Sequence, residues 1–525
     1  MATSSRPPSY LPVPPPFDKR RSGVLLHPTS LPGGHGCGDL GPSAFAFADF
    51  LAAAGQGLWQ VLPVCPPGST NSPYDSPSAS ALSETLLSLE RLAATGLVAL
   101  DELQVPPALP AARRASFGES FELKRRALTL AHQRFSERAS PELRQEYERF
   151  LATAPGWLEH HATYMALKGA YQQQAWVEWP REIRDRKPEA LARVQAELAV
   201  EIDRHRFIQF ELYRQWTALR DHCRQRNILL MGDVPIYVAH DSADVWANRE
   251  VFFLSKDGHR EVVAGVPPDY FSSKGQLWGN PLYRWAHLQR TRYGWWVARL
   301  RTALSHFDAV RLDHFIGFRR YWEVPASAET AEFGRYVDVP GERFFSTVLR
   351  DLGSLPFLAE DLGVVTDEVH TLRNRFSLPG MRILQFAFDD PNGSDYLPHR
   401  YESNTAVYTG THDNDTTVGW YHAPRPSDEG SARWHDGVRE RVRRYLGADV
   451  HEIHWQFIRL ALGSIAKTAI IPVQDLIGLG SDSRMNIPGT SHGNWEFRLL
   501  DGELTHDIGL RLRDLTSTYE RLAAG

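Results

Sequence analysis

Cysteine is nearly absent: Cys37, Cys65 and Cys223 are the only three in 525 residues. With an odd count and no Cys-x-x-Cys spacing, they exclude a disulfide framework and a cysteine zinc site. Long apolar runs are missing too. No stretch approaches the roughly 18 residues a membrane-spanning helix needs. Charge of either sign is not concentrated: 58 Lys+Arg stand against 63 Asp+Glu, a net of -5, without a long run of one sign. A basic stripe for nucleic acid is therefore excluded, and a neutral substrate suits this balance better than a polyanion. The segment 1–21 is rich in Pro and Ser and lacks a signal-peptide apolar region. Arg20-Arg21 is followed by a core strand rather than a cleavable segment, so a cytoplasmic protein is expected, with a flexible tail over 1–22.

Eight short apolar runs of the buried-strand type are present. They are 23–28 (GVLLHP), 58–64 (LWQVLPV), 227–236 (NILLMGDVPI), 309–315 (AVRLDHF), 356–362 (PFLAEDL), 381–388 (MRILQFAF), 406–413 (AVYTGTHD) and 468–476 (TAIIPVQDL). Amphipathic patterns lie between most of them, at 43–54, 295–306, 342–352, 366–376 and 451–462, and a last one covers 505–523. Eight strands alternating with helices predict an α/β fold, the (β/α)8 TIM barrel. An open doubly wound sheet would offer no ring of converging strand ends.

Two gaps are too long for simple crossovers. The segment between strands 2 and 3 is charged and helical in pattern, with its last helix assigned to the barrel. The segment of about 240–293 after strand 3 is rich in Gly, Pro and aromatics without periodicity, which suits a lid or binding loop. The expected organisation is a barrel over 23–85, 206–240 and 290–525, a helical insertion over 86–205, and a lid-bearing insertion over 241–289.

Asp313, Glu360 and Asp413 sit at the C-terminal ends of the apolar stretches 309–313, 356–360 and 406–413. Parallel barrel strands deliver their C-terminal ends to one mouth, so these distant carboxylates are expected to converge. Such a group suits acid/base and nucleophilic chemistry on a glycosidic bond. Arg311 and Asp313, two apart on a strand, share a side, so Arg311 either holds an ionised nucleophile or forms a structural ion pair. Glu360 suits a general acid if apolar walls raise its pKa. Asp361 points the other way, to cap a helix or pack behind the barrel. His412 and Asp413 suit sugar hydroxyls and a cationic transition state. Asp233, ending the third strand, is either substrate-binding or structural. The Asp413-Asn-Asp415 run lacks the glycine and bidentate glutamate of a calcium loop. GGHGCG at 33–38 has the wrong spacing for a phosphate loop and reads as a rim turn. His160-His161 read as a solvated helix surface. The 15 Trp, 18 Tyr and 25 Phe are mostly packing, with sugar platforms expected only near the mouth.

Several stretches resemble one family. Gly23-Val-Leu-Leu-His-Pro-Thr-Ser-Leu-Pro32, Gly265-Val-Pro-Pro-Asp-Tyr-Phe-Ser272 and Gln276-Leu-Trp-Gly-Asn-Pro-Leu-Tyr283 are similar to amylomaltases. So are Arg311-Leu-Asp-His-Phe315, Ala359-Glu-Asp-Leu-Gly363, Thr411-His-Asp-Asn414 and Pro472-Val-Gln-Asp-Leu-Ile-Gly478. These are the 4-α-glucanotransferases, or disproportionating enzymes, of glycoside hydrolase family 77. The resemblance implies a retaining transfer of α-1,4-glucan segments to the 4-hydroxyl of an acceptor sugar, with cyclisation as a variant. It implies Asp313 as nucleophile, Glu360 as acid/base and Asp413 as transition-state stabiliser. Tyr74, Asp233, Gln276, Trp278, Asn280, Arg311 and His412 are the implied substrate-binding residues, and Asp269, Tyr270 and Phe271 lie on the implied lid. Glucans and maltooligosaccharides are the expected partners, without cofactor, metal, nucleic acid or membrane, and the chain is expected to be a monomer or weak homo-oligomer. An α-glucan hydrolase with the same triad and a non-catalytic glucan-binding barrel are the rivals. After Ser72-Pro-Tyr-Asp-Ser-Pro-Ser-Ala79 the sequence departs from the family with Ala81-Leu-Ser-Glu-Thr85, and Ser69 or Thr70 replaces a frequent aromatic. Both departures bear on a secondary glucan-binding surface.

Overall fold

The structure, a computed structural model, describes residues 11–33, 35–105, 113–268, 274–447 and 450–523. Eight strands form one parallel sheet: β1 (Arg21–Leu25), β2 (Leu58–Gln60), β3 (Leu229–Val234), β6 (Ala309–Leu312), β9 (Phe357–Ala359), β10 (Gly380–Ile383), β11 (Thr405–Tyr408) and β12 (Thr468–Pro472). Their order is β10-β11-β12-β1-β2-β3-β6-β9. Val, Ile and Leu dominate them because helices outside and packed side chains inside bury both faces. The two ends of the sheet meet at β9 and β10, where the Ala359 N–H donates to the Pro379 carbonyl at 2.9 Å. This is the TIM barrel expected from the eight apolar runs.

Asp361 fastens that seam. Its buried carboxylate accepts the Met381 N–H at 2.7 Å and a guanidinium hydrogen bond from Arg373. It packs behind the barrel, facing away from the mouth, as alternation along the strand requires.

The crossover helices bury one stripe each. Gly341–Leu352 buries Phe344, Phe345 and Val348, and it stops at Gly353, whose φ of 80° accommodates the left-handed turn. Glu429–Leu446 was absent from the sequence reading. Its buried stripe of Ala432, His435, Val438 and Val442 has helical spacing, but a histidine interrupts it and charged residues surround it.

Between β2 and β3 the helices include Phe117–Arg138, Pro141–Thr153, Trp157–Ala170, Pro188–Glu197 and Ala199–Gln225. The last runs unbroken for 27 residues, so the expected boundary at 205/206 falls inside it. Its buried Gln209 and Gln215 hydrogen-bond the backbone of Leu82 and Ser88, tying the helices to the loop after β2. His161 is a correction: it is 3% exposed, and burial lowers its pKa to about 4. It is a neutral core residue, not a solvated one.

A second sheet stands beside the barrel. Strands β4 (Val262–Val266), β5 (Gln276–Pro281), β7 (Arg320–Pro325) and β8 (Arg335–Asp338) pair antiparallel in the order β5-β4-β7-β8. The segment after β3 is therefore partly regular, completed by strands that follow β6. Their short length and glycines, with Gly275 and Gly279 at positive φ, hide the period-two pattern.

The described part of the N-terminal segment is not a loose tail. Phe17 is fully buried, and the Arg20 guanidinium donates to the carbonyls of Leu462, Ser464 and Tyr519. No helix among the described residues is long and apolar enough to cross a membrane.

Candidate active site

The parallel ladder sets the depth of two carboxylates. The Asp313 N–H donates to Val234 O on β3 at 3.1 Å, and the Glu360 N–H donates to Leu312 O on β6 at 3.0 Å. Both side chains thus leave the ring one residue past their strands, on neighbouring staves. Asp413 comes five residues beyond β11, on a loop, and its side chain is 47% exposed. All three line one cleft of about 1280 Å³ at the barrel mouth.

Around Asp313 the charges are layered. Arg311 Nη2 donates to Asp313 Oδ1 at 2.9 Å, and its Nε donates to Asp233 Oδ2 at 2.7 Å. The Tyr74 hydroxyl donates to Asp233 Oδ2 at 2.9 Å and lies 3.2 Å from Arg311 Nη2. Burial works against the Arg311 charge, yet Asp233, Tyr74, Asp313 and Glu360 more than offset it and raise its pKa well above the ordinary value. Burial, then the Asp233 charge, also keeps the Tyr74 phenol protonated far above its usual range. Asp233 therefore sits beneath the cleft as a brace for Arg311 and Tyr74. Its Oδ1 is buried without a hydrogen-bond partner.

Glu360 has a different environment. Its Oε2 accepts the His314 N–H at 2.6 Å and its Oε1 accepts the Leu362 N–H at 3.2 Å. His314 directly follows Asp313, so this bond sets the two carboxyl groups side by side. Desolvation by burial, and next the Asp313 charge, push the Glu360 carboxyl well above the ordinary carboxylate range. That shift favours the protonated form, which is the form a general acid needs. Burial lowers the His314 pKa to about 4 against the opposing pull of Asp313, so this ring is neutral.

His412 stacks on Tyr74, with ring centroids 5.4 Å apart and planes 15° apart, and its Nε2 lies 3.1 Å from the Tyr74 hydroxyl. Tyr74, Gln276, Trp278, Asn280, Arg311 and His412 all line the cleft. Trp278, 37% exposed, meets the His314 ring nearly at right angles with centroids 4.8 Å apart and donates its indole N–H to Gln276 Oε1 at 3.2 Å. Asn280 spends its amide on the Val238 carbonyl at 3.1 Å, which pins β5 to the loop after β3. Asp269, Tyr270 and Phe271, the expected lid residues, lie outside the described residues.

Sequence reasoning missed the segment after β12. Asn486 Nδ2 donates to Asp413 Oδ1 at 2.7 Å, and Arg484 Nη2 donates to the Asp413 carbonyl at 2.7 Å. The available signal was topological: this glycine-containing stretch follows the eighth strand, so it reaches the same mouth. Asp475, in a quoted motif without a role, is buried and joins three pieces. It accepts from Thr409 Oγ1, the Thr417 N–H and Thr417 Oγ1.

The side chains beyond Asp413 are committed internally: Asn414 Oδ1 accepts from Thr411, and Asp415 Oδ2 accepts from Ser481. One group outside the cleft, His35, Asp39 and Glu90, brings possible metal ligands within 4.8 Å of one another. There Lys124 Nζ, fully buried, already lies 3.5 Å from Asp39 Oδ2. Ser69 and Thr70 line the cleft, whereas Ala81, Leu82, Ser83 and Thr85 are buried, so the second departure from the family lies in the core.

A deep cleft, a carboxyl of raised pKa beside an arginine-paired carboxylate, and exposed aromatic walls suit cleavage of a bond between neutral sugars. Comparisons with known proteins agree. Residues 26–504 match the glycoside hydrolase 77 model, described as 4-alpha-glucanotransferase. The chain is 46% identical over 510 residues to the 4-alpha-glucanotransferase of Synechocystis sp., covering 96% of this chain and 99% of the relative. It is 47% identical over 510 residues to that of Thermus thermophilus, with the same coverage of 96% and 99%. Amylomaltase from Streptococcus agalactiae, solved with acarbose, superposes with a TM-score of 0.90 at 35% identity, over 96% of this chain and 100% of that one. The chain belongs to the 4-alpha-glucanotransferases of glycoside hydrolase family 77.

Proposed function

We propose that the chain transfers α-1,4-glucan segments between maltooligosaccharides or longer glucans by double displacement with retention. The observation that carries the assignment is the Glu360–His314 hydrogen bond, which fixes Glu360 beside Asp313 in a buried setting that raises its pKa. Asp313 attacks C1 while Glu360 protonates the departing 4-oxygen, and the shortened glucan leaves. Arg311 orients the attacking carboxylate through its bond to Oδ1. Glu360, now ionised, takes the proton from the incoming acceptor 4-hydroxyl, which attacks C1 and releases Asp313. Asp413, with His412, binds the reacting sugar and offsets the positive charge that develops on its ring. Trp278 supplies an apolar face for a neighbouring sugar, and Tyr74 packs against the reacting one.

Transfer needs the covalent intermediate to meet a sugar before water. Gln276 and Trp278 on β5 line the cleft and would hold an acceptor sugar there ahead of water.

The test is incubation with maltotriose, following free glucose, product length and total reducing ends together. Glucose plus longer maltooligosaccharides at constant reducing ends is the expected result. Rising reducing ends with only shorter products would establish hydrolysis instead. No reaction with maltotriose or a longer donor would favour a binding protein.

A further inference from the structure

Asp313 and Glu360 are held by the barrel ladder, but Asp413 is not. It lies on a loop, five residues past its strand and half exposed, where a carboxylate would ordinarily rotate. Two of its contacts come from its own turn: its N–H donates to Thr411 Oγ1 at 3.3 Å, and His412 Nε2 lies 3.4 Å from its Oδ1. The rest come from the segment after β12. Asn486 Nδ2 donates to Asp413 Oδ1 at 2.7 Å, and the Asn486 N–H donates to the His412 carbonyl at 3.0 Å. Arg484 Nη2 donates to the Asp413 carbonyl at 2.7 Å, while its Nε donates to the Asn486 carbonyl at 2.8 Å. That segment is anchored in turn by the Trp495 N–H on the Met485 carbonyl and the Ile487 N–H on Asn494 Oδ1.

The division of labour follows charge. The cation of this clamp is placed on a backbone carbonyl, and the neutral amide is placed on the carboxylate. An amide donor orients a carboxylate while leaving its full charge for the substrate, whereas a guanidinium in the same place would neutralise part of it. With Oδ1 engaged by Asn486, Oδ2 is the oxygen left to face the sugar.

We propose that Asn486 is a positioning residue: by holding Asp413 Oδ1 it aims Oδ2 at the reacting sugar, so the loop after β12 sets the efficiency of the chemical step. This rests on the role given to Asp413 above.

The experiment compares Asn486→Ala, the near-isosteric Asn486→Asp and Asp413→Asn with the parent enzyme, using a maltotriose donor and reading kcat, KM and the pH profile. Asn486→Ala is expected to lower kcat on the order of 10- to 100-fold, the cost of a loosely aimed group, with KM within about threefold. Asn486→Asp sets two carboxyls at hydrogen-bond distance, where they share one proton at low pH. That proton restores a donor to Asp413, so the kcat ratio of Asn486→Asp to Asn486→Ala should rise as pH falls. A purely structural loop would produce no such rise. Raised KM with unchanged kcat would make Asn486 a substrate contact and overturn the proposal, as would a pH-independent ratio. Full activity in Asp413→Asn would overturn the role of Asp413 itself. An inactive Asp413→Asn beside a fully active Asn486→Ala would overturn only the positioning role. If Asn486→Ala fails to fold, the pH profile of Asn486→Asp against the parent enzyme decides.

Discussion

At the scale of single residues, the site works by giving two neighbouring carboxyls opposite surroundings. Asp313 accepts from a buried guanidinium, and Glu360 accepts from backbone amides under burial that favours its neutral form. Asp313→Asn is expected to abolish nearly all turnover; retention of more than a few per cent in the maltotriose assay would remove it as nucleophile. Glu360→Gln should lower kcat by roughly 100-fold or more and erase the alkaline limb of the pH profile, because that limb reports loss of the Glu360 proton. The same group has a thermodynamic signature. Its folded pKa is raised above the ordinary 4.5, so the folded chain keeps the proton where the unfolded chain loses it. Its contribution to stability is full below that ordinary value and is lost as pH rises through the folded value. Glu360→Gln should therefore melt above the parent at pH 8, with the gap closing near pH 4.5; a parallel pair of Tm curves would contradict the raised pKa. One distance tests the chemistry: with a glucan bound, the Asp313 and Glu360 carboxyls should lie about 5–5.5 Å apart for retention.

At the scale of elements, the barrel seam and the mouth loops are joined by buried polar groups rather than by apolar contact alone. Asp361 closes β9 onto β10 through Met381 and Arg373. Asp361→Ala would leave the buried Arg373 with only its Glu402 ion pair at 3.3 Å and would free the Met381 N–H, at an expected cost of about 3 kcal/mol, read as a lower urea midpoint at unchanged slope. The helix stripes were readable where they were apolar, as in 341–352, and unreadable where a buried histidine interrupted them, as in 429–446. The second sheet escaped notice for a related reason: its pairing joins segments on either side of β6, and no local pattern announces a partner so far along the chain.

At the scale of the whole molecule, the lower rim of the barrel is gathered by one side chain. Arg521 is fully buried and donates five hydrogen bonds, to the carbonyls of Arg21, Leu462, Ser464, Ala466 and Lys467. Burial, then the nearby Arg20, lower its pKa to about 9. Arg521→Ala would orphan several carbonyls at once. The expected loss is about 3 kcal/mol or more, measured as a fall in Tm with the cleft chemistry of the folded fraction unchanged.

The strands, the barrel and the three carboxylates were legible because a parallel barrel imposes a simple local rule: an apolar run ending in a functional residue. Period and position carry that information, so Asp313 and Glu360 could be placed at the mouth ends of their strands before any coordinates. Asp233, Arg311 and Tyr74 were legible as candidates, but their layering was not, since burial and hydrogen-bond direction depend on side chains 159 and 237 residues apart. The raised pKa of Glu360 likewise depends on the walls around it. His161 and Phe17 were misread because tertiary packing, not local composition, decides whether a polar helix or a Pro-rich segment meets solvent. Asn486 was invisible for the same reason: an asparagine in a loop has no periodic signature, and its meaning arises only where two strand ends meet at one mouth.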